Sequence, residues 1–162
     1  MRRANQTGGF GFALLLGVAL VFIPGYLNAQ ENTAELPLIR IVATGGTIAN
    51  SPDGRMAVET VLAQMPQIAE HARIEVTDYA RIGSSSITVQ NWVDIANLIN
   101  EIYETEPEVA GIVVTHGSNT AEETAYFLSL TINHSKPVVL TAAQRQQDTL
   151  GTEGTRNLYD AI

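Results

Sequence analysis

Two short stretches in this sequence set hydroxyl side chains among glycines directly after apolar runs: Thr44-Gly45-Gly46-Thr47 and Thr115-His116-Gly117-Ser118-Asn119-Thr120. Glycines at the end of a strand permit close approach of the backbone and leave amide N–H groups uncovered. A hydroxyl held beside such amides is equipped to attack a carbonyl or amide carbon, because the amides stabilise the oxyanion that forms. The structural alternative is a glycine-rich turn with threonines as capping residues. A dinucleotide-binding fingerprint is excluded, since from Gly45 the order is G-G-T-I-A-N and not G-x-G-x-x-G. A third cluster of small polar residues, Gly83-Ser84-Ser85-Ser86, lies between the two. An alcohol is a weak nucleophile at its free pKa. These groups therefore act only together, with a base for the proton and partners that hold both ends of a small substrate.

Positioning such groups requires a scaffold, and the hydrophobic pattern supplies one. Residues 38–44, LIRIVAT, form a β-branched run and predict a strand. Val58, Val61, Leu62 and Met65 follow helical spacing and predict a helix over 58–65. A second strand is expected over 72–80. A helix follows whose apolar face holds Trp92, Ile95, Ala96, Ile99, Ile102 and Tyr103. Residues 110–116 read as a third strand, 120–132 as a helix and 136–142 as a fourth strand. Thr120 followed by Glu123 predicts a capping box at the start of the 120–132 helix. Continuous apolar strands alternating with helices imply an α/β fold, a parallel sheet with helices on both faces, Rossmann-like or flavodoxin-like. Ligands in such sheets bind beyond the carboxyl ends of the strands. There the sequence places its four polar loops, the fourth being residues 143–154.

Composition narrows the partners. The chain has 162 residues, 45% hydrophobic and 16% charged, which suits a globular domain. Its net charge of −8 argues against a nucleic-acid partner, and the absence of cysteine excludes thiolate metal sites, disulfides and a cysteine nucleophile. His71, His116 and His134 have no metal-ligand spacing, so neither a metal nor a cofactor is expected. Arg2 and Arg3 precede an apolar stretch from Phe10 to Ile23, then Pro24, Gly25 and a small residue, Ala29, suited to cleavage. This predicts a signal peptide over residues 1–29, a linker over 30–37, a periplasmic or secreted location and no membrane attachment after cleavage; an uncleaved anchor is the alternative.

The stretches ATGGTIA (43–49) and VVTHGSNTAEETAYFL (113–128) together resemble the two active-site signatures of the bacterial-type (type II) L-asparaginases and glutaminase-asparaginases. The segment IGSSSIT (82–88) is similar to that family's substrate-binding loop, and residues 136–162 resemble the stretch after its fourth strand. The resemblance implies an N-terminal asparaginase domain over 38–162. It makes Thr47 the nucleophile that attacks the side-chain amide of L-asparagine, and Ser118 the equivalent of a second catalytic threonine. Asn119 then stands where an aspartate contacts the substrate's amino group and the catalytic lysine. Ser84 matches a serine that binds the substrate carboxylate, and Ser85 lies where many members carry a glutamine. Gly46 and Gly117 are expected to present main-chain amides to the same small molecule. L-Glutamine is the second candidate substrate, and the full-length form is expected to be a homotetramer.

The departures from the pattern are specific. Asn119 lacks the charge of an aspartate, Ser85 is shorter than glutamine, and no tyrosine occurs between Thr47 and Val61. By the resemblance, the catalytic lysine and a smaller C-terminal domain lie downstream of Ile162, so the chain is expected to be the N-terminal fragment of a longer enzyme. Lys136 is no substitute, because it precedes Pro137 at the amino end of a strand. A non-catalytic amino-acid-binding homologue is the alternative. An amidotransferase subunit sharing these signatures is a further one, disfavoured by the export signal.

Overall fold

The computed structural model describes residues 35–162, so the expected signal peptide and most of the linker lie outside the described residues. A parallel sheet of four strands organises the fold. The strands are β1 (Leu38–Gly45), β4 (Arg73–Ile82), β5 (Val109–Thr115) and β6 (Val138–Thr141), in the order β4-β1-β5-β6. The labels β2 (Asn50–Ser51) and β3 (Gly54–Arg55) belong to a small antiparallel hairpin after the first hydroxyl-rich turn.

Alternation along the strands divides the core into two layers, because successive side chains point to opposite faces. Leu38 and Val42 of β1 pack on one face with Ile95 and Ile99 of α2 (Val89–Thr105) and Leu128 of α3 (Ala121–Thr131). Ile41 and Ala43 pack on the other with Val58 and Val61 of α1 (Val58–Leu62) and Leu158 of α4 (Gly154–Ala161). The expected α/β fold with both faces of a parallel sheet covered is the fold observed. Arg40, the charged residue in the apolar run of β1, is paired with Glu75 and Glu106. No helix among the described residues is long and apolar enough to cross a membrane.

The helix expected over 58–65 stops at Leu62, and Pro66 opens a separate 3₁₀ turn over Pro66–Glu70. The cause is local: a proline excludes the helical conformation from the residue before it, and Met65 has φ −130° and ψ 57°. The capping box expected from Thr120 and Glu123 does not form. Thr120 makes no side-chain cap; its hydroxyl donates instead to the main-chain oxygen of Ser84 at 3.1 Å, a tertiary bond that outweighs the local one. A reciprocal capping box occurs at the start of α2, between Thr88 and Asn91.

From β1 the chain crosses to β4 on one side, then returns past β1 to β5 on the other. This reversal is the switch point of an open parallel sheet, and it opens a crevice beyond the carboxyl ends of β1 and β5. Both hydroxyl-rich stretches begin there.

Candidate active site

Three turns meet at this crevice, and their glycines let them touch. Gly46 has φ +84°, and a Cβ on it would stand 2.5 Å from the main-chain carbon and oxygen of His116 and overlap the Gly117 nitrogen. A Cβ on Gly117 would stand 2.6 Å from the Ser84 hydroxyl. The N–H of Gly46 donates to the Ile82 carbonyl at 3.0 Å, which ties the β1 turn to the end of β4. Only residues without side chains allow three backbones to approach this closely.

The result is a cavity of about 90 Å³ lined by Gly46, Thr47, Asn50, Gly83, Ser84, Ser85, Gly117, Ser118 and Asn119. Every residue expected to bind or react is in that lining. Thr47 and Ser118 are half-buried, Ser84, Gly46 and Gly117 are buried, and Ser85 and Asn119 are exposed. The two threonines of the first stretch have separate roles. Thr44 is buried and its hydroxyl donates to the Thr115 carbonyl at 2.7 Å, tying β1 to β5. The Thr47 hydroxyl has no hydrogen-bond partner among the described residues and faces a cavity of small polar groups. Ser84 accepts a hydrogen bond from the Asn119 N–H at 3.2 Å, so its own proton remains free to donate. Thr47 and Ser118 each open a short 3₁₀ turn, where the first N–H groups have no partner within the turn.

The fourth polar loop does not line the cavity, contrary to the expectation that four loops converge there. It buttresses the first loop from behind through Gln147, a buried residue absent from the sequence-based candidates. The Gln147 side chain donates to the Ile48 carbonyl at 3.0 Å, and its N–H donates to the Asn50 carbonyl at 2.7 Å. Asn50 was missed as well. It lines the cavity, and its side-chain oxygen is buried without a donor among the described residues. Its place three residues after Thr47 in the same polar loop is the sequence feature that could have found it. Lys136, the sole lysine of the chain, donates to the Pro107 carbonyl at 2.7 Å and lies outside the cavity lining. No group of three His, Asp or Glu side chains among the described residues could hold a metal ion.

His116 lies beneath the second turn at 0% exposure. Burial holds its pKa below the ordinary 6.5, opposed by its bond to the Gly117 carbonyl and by the Glu123 charge. The unfolded chain therefore takes up a proton at a pH where the folded protein does not. The stability this confers is complete above about pH 6.5 and is lost as the pH falls towards the depressed folded value. The melting temperature should drop below pH 6.5 more steeply in the native protein than in His116→Gln, as read by calorimetry across a pH series. Equal slopes would exclude His116 as the group responsible.

An open parallel α/β sheet with a hydroxyl-lined cavity at its switch point defines the class of protein. The family model for the N-terminal domain of asparaginase matches residues 38–162, and the chain belongs to that family. Its relatives include the probable periplasmic L-asparaginase of Haemophilus influenzae, 38% identical over 91% of this chain and 44% of the relative. L-asparaginase 2 of Escherichia coli is 38% identical over 78% of this chain and 38% of its own length. The glutaminase-asparaginase of Acinetobacter glutaminasificans is 35% identical over 75% of this chain and 40% of its own length. Among solved structures, the probable cytoplasmic L-asparaginase of Campylobacter jejuni superposes with a TM-score of 0.72 at 38% identity, covering 76% of this chain and 40% of that one. The chain spans about two fifths of the length of these relatives.

Proposed function

We propose that this domain is the nucleophile-bearing part of an amidohydrolase that converts L-asparagine to L-aspartate and ammonia. The observation that supports it best is the Thr47 hydroxyl, without a hydrogen-bond partner among the described residues, in one cavity with Ser84, Ser118 and Asn119. Thr47 Oγ attacks the side-chain amide carbon as its proton passes to a base. Main-chain N–H groups at Thr47 and Ser118 hold the resulting oxyanion. The C–N bond then breaks, the nitrogen takes a proton and ammonia leaves. Water adds to the acyl-threonine ester, and the ester C–O bond breaks to release aspartate and restore the hydroxyl. Ser84 donates to the substrate carboxylate, Ser85 sits at the rim, and Ser118 relays protons beside the nucleophile. Gly46 and Gly117 keep the backbone close to the bound molecule. The base comes from outside the nine lining residues, none of which titrates near neutral pH. L-Glutamine is the second substrate of this reading, and the working assembly is a homotetramer. Residues 1–29 act as a cleaved export signal, residues 30–37 as a linker and residues 38–162 as the catalytic domain. The protein then works in the periplasm or outside the cell.

Ammonia release from L-asparagine by the whole protein tests this reading. A second reading, an amino-acid-binding homologue without turnover, is favoured by that same absence of a base from the lining. Binding of asparagine by titration calorimetry without release of ammonia would decide for it.

Asn119 offers an ammonium group a neutral acceptor only. Asn119→Asp restores a charge-assisted hydrogen bond worth roughly 1.5–3 kcal/mol, so L-asparagine should bind about 10- to 150-fold more tightly. Succinamic acid, which lacks the amino group, should gain nothing. An equal gain for both would remove Asn119 from contact with the amino group.

A further inference from the structure

Beneath the second turn a chain of hydrogen bonds runs from α2 to the cavity wall, and its polarity can be worked out. The His116 Nδ1 lies 2.7 Å from the Gly117 carbonyl oxygen, an atom that only accepts, so Nδ1 carries the proton. In the neutral ring Nε2 is then an acceptor, and the Thr124 hydroxyl, 3.1 Å away, donates to it. That hydroxyl has one proton, which leaves its oxygen to accept from the Trp92 indole N–H at 2.8 Å. Each donor has one acceptor. Thr124 and His116 are buried, and the Trp92 ring is fixed by stacking on Phe127 with centroids 5.7 Å apart.

The chain ends on a peptide unit that matters to the reaction. In a planar trans peptide the C=O and N–H point in opposite directions. A Gly117 carbonyl drawn towards the buried imidazole therefore turns the Ser118 N–H away from it, on the side where Ser118 lines the cavity. We infer that Thr124 and Trp92, neither of which lines the cavity, are positioning residues that hold the His116 ring at both nitrogens and so set the direction of the Gly117–Ser118 peptide. Without the Thr124 hydroxyl, Nε2 is a buried acceptor with no donor. The ring is then held at one nitrogen only, and its hold on the Gly117 carbonyl loosens. The apolar face of α2 explains why Trp92 is half-buried, but it does not explain why its N–H ends on a threonine of another helix.

Imidazole ¹⁵N spectra of the full chain test this independently of catalysis, with His116 assigned through His116→Gln. The native protein should show a protonated Nδ1 and a hydrogen-bonded Nε2. In Thr124→Val the Nε2 resonance should move to its unbonded position, the Ser118 amide resonance should shift as the peptide turns, and Thr124→Ser should restore both. Trp92→Phe should shift Nε2 in the same direction by a smaller amount. If the proposed function holds, kcat/KM for L-asparagine should fall about tenfold in Thr124→Val, mainly in kcat, and recover in Thr124→Ser. A native protein protonated at Nε2 would overturn the inference, as would a Thr124→Val spectrum matching the native one or a Thr124→Ser variant behaving like Thr124→Val. Absence of asparagine hydrolysis by the native protein would overturn the proposed function and leave the spectral result to stand on its own.

Discussion

Replacing Thr47 by alanine should abolish ammonia release from L-asparagine, lowering kcat by at least roughly 10⁴-fold, while the protein stays folded. The two halves of this expectation rest on separate observations. Loss of turnover follows if the Thr47 oxygen forms the acyl-enzyme, since alanine removes the attacking oxygen and leaves the rest of the cavity lining in place. Retention of the fold follows from the surroundings of Thr47. Its side chain is half-buried, and removing the hydroxyl leaves no buried donor or acceptor without a partner, so stability should change by about 0.5 kcal/mol or less. Thr47→Ser keeps the oxygen and should keep measurable turnover. Thr44→Val is the informative contrast, because Thr44 ties β1 to β5 from a buried position and should cost stability instead. Turnover unchanged in Thr47→Ala would remove Thr47 from the role of nucleophile.

Gly46→Ala should damage the fold and the site together. The backbone there, φ +84° and ψ 179°, belongs to a region that residues with a Cβ rarely enter, at a cost of about 1–3 kcal/mol. The added methyl would also meet main-chain atoms of His116 and Gly117, which cannot swing aside as a flexible side chain can. Overpacking of this kind costs about 1–3 kcal/mol more, for about 2–6 kcal/mol in all. Relief comes only by pushing the turn at Thr47 away from the turn at Ser118, which widens the cavity and misaligns the reacting groups. Chemical denaturation should show the loss of stability. A variant as stable as the native protein would mean that the two turns are not in contact. Gly54→Ala is a suitable control: it also has positive φ, +127°, but its added carbon would meet nothing within 4 Å.

Much of this architecture is written in short-range patterns. The apolar runs at 38–44 and 110–116 correspond to β1 and β5 within a residue, and the helical stripe from Trp92 to Tyr103 falls inside α2, because burial on both faces of a sheet or one face of a helix demands those periods. Their alternation implied a parallel sheet, and the parallel sheet implied where the loops would gather. The hydroxyl-bearing residues themselves, Thr47, Ser84 and Ser118, were legible from their types beside glycines at strand ends, together with the likeness of those stretches to asparaginase signatures.

Tertiary contacts decided the rest. Thr120 with Glu123 satisfies the local rule for a capping box, yet its hydroxyl goes to Ser84, which is distant in the chain and adjacent in space. Nothing in the spacing of the chain separates Thr44 from Thr47; only the pairing of β1 with β5 gives one of them an acceptor and leaves the other free. Gln147 looked like one more polar loop residue until the fold buried it behind Ile48. Trp92, Thr124 and His116 lie on two helices and a strand end, and no sequence period links them. Local sequence settles which residues can form strands, helices and turns, because those choices depend on neighbours along the chain. Which hydroxyl is held and which is left free depends on acceptors brought from elsewhere, and the folded backbone alone supplies them.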